Sequence, residues 1–355
     1  MSGAFGRRSL LALSTLMLAA TPRLPGHAEI RSAPTPTGLE QWEEFKQRFI
    51  APIGRVVDTG NKDCSHSEGQ GWGLLLAASF DDQAAFDRIL SWTRAELRRP
   101  YDSLTAWSWK PNRARPVEDS NNATDGDLFI AWALARAGRR WGRPALVEEA
   151  RAILRDLDRL CVREVDGRPV LLPAAFGFEH PGYLVVNPSY YVFPAFPALA
   201  QLHPQGRWMA LYEGGLDLLR QARFGRWGLP ADWVRLASGE RPKPAWGWPP
   251  RFSYDAIRVP LYLNWAGLGE EPAARAALSF WTAFPQSGMP AWTDFRGDSI
   301  APYTADPGMR AVALLVADPE ARTTDLPAVR LAPHYYAAAL TLLSRLAAFE
   351  RPPQV

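Results

Sequence analysis

Apolar residues recur at helical spacing through most of the chain. Leu39, Trp42, Phe45 and Phe49, with charges between them, describe one amphipathic helix. The same period predicts further helices at about 67–80, 83–98, 125–138, 144–161, 191–202, 206–222, 255–266, 271–284, 307–317 and 334–350, nearly all of them paired in sequence. Between the pairs lie long Pro-, Gly- and Trp-rich connections at roughly 99–123, 163–189, 223–254 and 285–306. Loops of that length inside a domain are usually functional or carry hairpins of their own. Two ribbons are expected, one around Val165-Asp166-Gly167-Arg168 and one in which Ser238-Gly239-Glu240 follows Trp233-Val234-Arg235-Leu236. Strands and helices do not alternate, which argues against a parallel sheet. The pattern is all-α with small β-ribbons in long loops, and it fits a closed ring of hairpins with one helix of each pair inside and one outside. An open solenoid is the alternative, and the lack of a fixed-period repeat weighs against it.

Length and composition narrow this picture. A chain of 355 residues holds one large domain or two ordinary ones. The formal charge of +3 is spread along the chain, so nothing points to nucleic acid or to an anionic membrane. Arg7 and Arg8 precede an apolar run from Leu10 to Ala20, too short to span a bilayer, and Gly26-His27-Ala28 offers a small-residue cleavage site. Residues 1–28 therefore read as a secretory signal, which places the protein in the periplasm or outside the cell. Residues 29–37 read as a flexible lead-in, and 38–355 as one domain. No second long apolar run follows, so no membrane span is expected in the mature chain. Cys64 and Cys161 allow a disulfide in an oxidising compartment and equally allow two buried thiols.

Three stretches carry candidate chemistry. Ser67-Glu68-Gly69-Gln70-Gly71-Trp72-Gly73 sets one carboxylate among three glycines at the mouth of a leucine-rich helix. Glycine is costly in a helix, so these positions suggest close backbone approach, here to a bulky ligand. Asn122-Ala123-Thr124-Asp125-Gly126-Asp127-Leu128 opens a second helix with two acids, and Ser253-Tyr254-Asp255-Ala256-Ile257-Arg258 places an acid and an arginine at i, i+3. Each has a plainer reading. Glu68 can assist Ser65 or Ser67 in capping a helix, Asp125 and Asp127 can be ordinary first-turn acids, and Asp255 can be a structural ion pair with Arg258, although a guanidinium that holds the carboxyl pKa down also suits a base that must stay ionised. Among the 15 tryptophans, Trp107 and Trp109 in the loop before Asp125 are the first candidates for a flat ligand-stacking surface, followed by Trp72, Tyr190 and Tyr254. For each of these, packing is the competing role.

Taken together, and in this order, the three stretches resemble glycoside hydrolase family 8, and within it the periplasmic endoglucanases encoded alongside bacterial cellulose synthases. The likeness runs from about Gln41 to the last helix, and includes Ala85-Phe86-Asp87-Arg88-Ile89-Leu90-Ser91-Trp92-Thr93. It implies a six-hairpin (α/α)6 toroid, of which eleven helices are visible here. It also implies a cellulase, an endo-1,4-β-glucanase acting with inversion, with Glu68 as proton donor, Asp255 as the base that activates water and Asp125 holding the sugar at the cleavage point. Asp127 would support Asp125, and Tyr254, Arg258 and Tyr190 would line the substrate. At the Trp72 position family members commonly carry tyrosine. The implied substrate is a β-1,4-glucan, with functional association with cellulose synthase machinery and no metal or organic cofactor. Xylan or chitosan is the alternative substrate, and a non-catalytic glycan-binding export accessory the alternative class. Cys64, His66 and Glu68 at alternating spacing make only a weak metal motif, since no second ligand cluster appears. No serine-hydrolase elbow, phosphate loop or dinucleotide fingerprint is present.

Overall fold

Helix α1 (Pro36–Phe49) turns Trp42, Phe45 and Phe49 inward, and its first proline suits a position where no backbone donor is needed. The computed structural model describes residues 36–352. The expected signal at 1–28 lies outside them, as does the lead-in apart from residues 36 and 37, which belong to α1. Ten more helices follow among the described residues: α2 (Ser67–Ser79), α3 (Gln83–Glu96), α4 (Thr124–Arg140), α5 (Pro144–Cys161), α6 (Phe196–Leu202), α7 (Trp208–Gln221), α8 (Arg258–Trp265), α9 (Pro272–Thr282), α10 (Pro307–Ala317) and α11 (Tyr335–Glu350).

Burial sorts them into two rings. Every residue of α8 is buried, and every residue of α2 except Glu68, as befits helices apolar on all sides. Inside, α2 lies against α4, α4 against α6, α8 against α10 and α10 against α11, and α11 returns to α2. Where α6 is short, the 3-10 turn Pro188–Tyr190 bridges α4 and α8. Outside, α3, α5, α7 and α9 back the inner helices α2, α4, α6 and α8, and α1 backs α11. This is an (α/α)6 barrel with one irregular member. Between α10 and α11, Pro319, Pro327 and Pro333 break the chain, and the turns Thr323–Asp325 and Val329–Leu331 occupy the place of the twelfth helix.

Gly71 of α2 and Gly126 of α4 serve helix packing, contrary to the ligand approach expected of the α2 glycines. A Cβ on Gly71 would stand 2.7 Å from the Phe129 Cβ, and one on Gly126 would stand 2.7 Å from the Glu68 backbone nitrogen. They let α2 and α4 touch backbone to backbone, directly beneath Glu68. Both cysteines are buried free thiols.

The expected ribbons are present. Val162–Val165 pairs with Arg168–Leu171 across Asp166 and Gly167, both at positive φ (51° and 73°), as a tight two-residue hairpin turn requires. Val234–Leu236 pairs with Lys243–Pro244, but inside a larger antiparallel sheet whose order is Glu179–His180, Tyr183–Val186, Val234–Leu236, Lys243–Pro244. Two further short pairings, Ser65–His66 with Ser108–Trp109 and Arg251–Phe252 with Thr293–Asp294, tie the long loops to the barrel.

Candidate active site

Glu68 is the second residue of α2 and Asp125 the second of α4, while Asp255 sits three residues ahead of α8. All three therefore gather at the N-terminal ends of inner helices, where the helix dipoles favour negative charge. The helix of 255–266 begins only at Arg258, so Asp255 lies in the turn before it and stays open on one side, its side chain 32% exposed. The N-cap of α2 is neither Ser65 nor Ser67. It is His66, whose Nδ1 accepts from the Gly69 amide at 3.0 Å, while Ser65 Oγ donates to the Val56 carbonyl.

One guanidinium joins the three acids. Arg258, 3% exposed, contacts Glu68 with Nη1, donates from the same nitrogen to Asp125 Oδ2 at 3.1 Å, and donates from Nη2 to Asp255 Oδ1 at 2.7 Å. Nη2 also donates to Ser189 Oγ at 2.8 Å, and Ser189 in turn donates to Asn187 Oδ1. The Arg258 guanidinium lies 5.9 Å from the Trp72 ring and 5.7 Å from that of Tyr190, so its remaining faces meet aromatic surface.

Three carboxylates around one buried cation cannot all ionise at low cost. Burial pushes Asp125 up to about 7 against the hydrogen bond from the Gly126 amide. Asp255 is raised well above the ordinary aspartate range by burial and by the charges of Asp232 and Asp125, with Asn187 and Trp233 donors opposing. The expectation that Arg258 would hold Asp255 down is therefore corrected: enclosure and two like charges outweigh the ion pair. Asp232, buried and raised by burial to about 6, accepts from the Ser253 and Ala256 amides at 3.0 and 2.8 Å and from the Ser253 hydroxyl, gripping the backbone on both sides of Asp255.

The other candidates divide. Trp107 is 41% exposed, its indole donating to Asp119 at 2.9 Å and its carbonyl accepting from the Ser67 amide, one residue from Glu68. Tyr190 reaches the acids, whose charges add to burial in raising its phenol. Tyr254 is 43% exposed, its hydroxyl 3.0 Å from that of Tyr303, and its carbonyl accepts from the Tyr336 hydroxyl. Three do not offer a surface to substrate. Trp72 is fully buried, stacked on Tyr335 at 6.4 Å beneath Arg258. Trp109 is covered by the Arg55 guanidinium at 5.0 Å and the edge of Trp92, and donates to Glu96. Asp127 is fully buried and accepts from the Thr105 amide and hydroxyl at 2.9 and 2.7 Å and from Asn122 at 3.0 Å, so it fixes the loop before α4. Sequence reasoning missed Asp232, Ser189, Asn187, Trp233 and Tyr336. Asn187 and Ser189 precede Tyr190 in the same short stretch, whereas Pro230-Ala231-Asp232-Trp233 carries no spacing that would mark it. Cys64 and His66 do not join Glu68 as ligands: among the described residues no cluster of three or more His, Cys, Asp or Glu side chains is arranged to hold a metal ion.

Acids from three separate elements, drawn together at one end of an α/α barrel and flanked by exposed aromatics, are the equipment of a glycoside hydrolase. The family model "Glycosyl hydrolases family 8" matches residues 27–350, and the chain belongs to that family. It is 43% identical over 320 residues to a probable endoglucanase of Novacetimonas hansenii, covering 89% of this chain and 93% of the relative. It is 40% identical over 275 residues to an endoglucanase of Cellulomonas uda, covering 76% of this chain and 75% of that one. Among solved structures, the endo-β-1,4-glucanase CMCax of Acetobacter xylinum superposes with a TM-score of 0.84 at 42% identity, over 88% of this chain and 98% of that one.

Proposed function

We propose that this chain is an endo-1,4-β-glucanase that cuts cellulose internally with inversion of the anomeric carbon. The observation that carries this is the meeting of Glu68, Asp125 and Asp255 on Arg258, in a chain more than 40% identical to the Novacetimonas relative named an endoglucanase. Glu68, the one residue of α2 that is not buried, protonates the leaving glycosidic oxygen. Asp255, open on one side and held by Arg258, takes the proton from the attacking water on the opposite face of the ring. Asp125, buried and sharing Arg258 with both, orients the sugar at the cleavage point. Tyr190, Trp107 and Tyr254 supply the walls. Water and carboxyl groups suffice for this chemistry.

The test pairs a variant with a stereochemical readout. Glu68→Gln abolishes hydrolysis of carboxymethyl-cellulose and of cello-oligosaccharides while leaving oligosaccharide binding intact, and proton NMR of the wild-type reaction shows the α-anomer first. Undiminished turnover in Glu68→Gln removes that residue from the mechanism, and a β-anomer formed first replaces inversion with retention. Faster turnover of xylan or chitosan than of cellulose reassigns the substrate. We further propose that the protein works in the periplasm or outside the cell during cellulose synthesis and export; cytoplasmic fractionation of the mature chain, or cellulose output unaltered by loss of the gene, counts against that.

A further inference from the structure

Trp246 is the most exposed large hydrophobic among the described residues, at 74%, yet it is held in place. The Arg235 guanidinium lies 5.6 Å from its ring and 5.1 Å from that of Tyr183, whose ring meets the indole edge-on at 6.4 Å. Arg235 is itself clamped to Glu240 by two hydrogen bonds, at 2.9 and 3.4 Å, and Lys243 donates to the same carboxylate at 2.7 Å. The opposite face of the indole is left to solvent. Leaving that much apolar surface in water is unfavourable, and bracing it removes the freedom that would otherwise compensate.

The position of this ring connects it with the acids. Val185 pairs with Arg235, and side chains alternate along a strand, so Tyr183, Val185, Trp233 and Arg235 share one face while Leu184, Val186, Val234 and Leu236 turn into the core. At the near end of this face Trp233 meets Tyr190 edge-on at 6.3 Å, and it stands near enough to Asp255 to oppose the rise of that carboxyl. Trp248 and Phe178 lie nearly parallel to Trp233, at 4.8 and 5.6 Å. Gly247, at φ +91°, makes the turn that sets Trp248 over Trp233 and Trp246 over Arg235, two residues and about 7 Å further from the acids. Past Tyr183 the sheet itself ends in a groove of about 310 Å³, lined by His180 and Tyr183, by Leu184 and Leu236 of the other face, and by Glu164, Asp166 and Glu179, groups that pair with hydroxyls.

We propose that Trp246 is an outlying platform for the same β-1,4-glucan, stacking on sugar rings of the chain that has already passed Trp233 and lies beyond the acids. The occupant follows from continuity: an aromatic face that begins at Asp255 receives the strand that Asp255 handles. The inference rests on the glucanase reading, and deepens it by making long chains bind better than short ones.

Trp246→Ala tests it in the full-length protein. The KM for carboxymethyl-cellulose rises about fivefold, equivalent to roughly 1 kcal/mol of lost contact, while kcat and KM for cellotetraose stay at wild-type values. Unchanged KM on the polymer overturns the proposal, as does an equal loss on both substrates, which would mark a merely structural ring. If wild type hydrolyses neither substrate, the glucanase reading fails by itself. The platform is then judged in native gels containing hydroxyethyl-cellulose: retardation of wild type that Trp246→Ala loses supports it, and equal migration of the two proteins overturns it.

Discussion

At the scale of single residues, the acid cluster is a problem in shared charge. Asp232 grips the backbone around Asp255, its carboxylate spanning the Ser253 and Ala256 amides, and its charge raises Asp255. Asp232→Asn separates these two effects. Its Oδ1 still accepts from both amides, and its new amide group faces a Ser253 hydroxyl able to accept, so the backbone stays in place. The sign is definite. A negative charge beside Asp255 makes its ionisation harder, so removing it lowers the pH at which Asp255 loses its proton. Because a base acts when deprotonated, the acidic limb of the kcat/KM profile of Asp232→Asn moves to lower pH. Other charged and titratable groups facing Asp255, namely Arg258, Asp125, Tyr190 and Tyr336, are the same in both proteins. A limb that stays put while kcat falls would make Asp232 a scaffold only. Asp232→Ala strands two amides and a hydroxyl, at about 1–3 kcal/mol each, and lowers stability as well.

At the scale of elements, the contact of α2 with α4 decides where Glu68 stands. Gly126 has no room for a side chain: a Cβ there would lie 2.2 Å from Ser67 Oγ and 2.7 Å from the Glu68 nitrogen. Gly126→Ala should therefore force the helices apart, destabilising by about 1–3 kcal/mol and lowering kcat on cello-oligosaccharides, since the proton donor shifts with its helix. Thermal unfolding and kinetics together check this, and wild-type values for both would show that the helices slide freely. The helices themselves were legible because apolar period survives in any fold that buries one face, and it placed α2, α3, α5 and α10 nearly to the residue. It overshot at α8, expected from 255, where 255–257 continue the period but are held as a turn by Asp232. It overshot again at α6, which starts only at Phe196, after Asn187 caps a 3-10 turn. The acids were legible as motifs and Arg258 as the i+3 partner of Asp255, whereas its reach to Glu68 and Asp125 and the four-stranded sheet were not. Pairing of Tyr183–Val186 with Val234–Leu236 depends on residues some fifty positions apart, which local pattern does not encode. Trp72 and Trp109 were misjudged for a related reason: a sequence shows that an indole is present, and only packing shows which faces are taken.

For the molecule as a whole, the barrel has to close between its two ends, and it does so without a twelfth helix. Phe45 and Phe49 of α1 meet Tyr335 of α11 at 6.0 and 6.1 Å; Tyr335 stacks on Trp72, and Trp72 lies under Arg258. The seam beside this aromatic path is polar. Arg48 donates to the carbonyls of Val329 at 3.1 Å and Ala332 at 2.6 Å, and Gln41 accepts from the Val329 amide at 2.7 Å, across more than 280 residues of sequence. Within the irregular segment the Val329 carbonyl accepts from the Ala332 amide at 3.0 Å, and α1 adds a charged donor to it and to the Ala332 carbonyl from outside. Arg48→Ala leaves both without their charged donor. Hydrogen bonds to a charged group contribute roughly 1.5–3 kcal/mol each, less where water can replace the donor, so a loss of about 2 kcal/mol and a fall of several degrees in Tm are expected by calorimetry. Arg48 touches none of the acids, so kcat measured well below the transition should match wild type. An unchanged Tm would assign closure to the aromatic contacts alone, and a lower kcat at full stability would mean that strain at the seam reaches Arg258 through Tyr335 and Trp72.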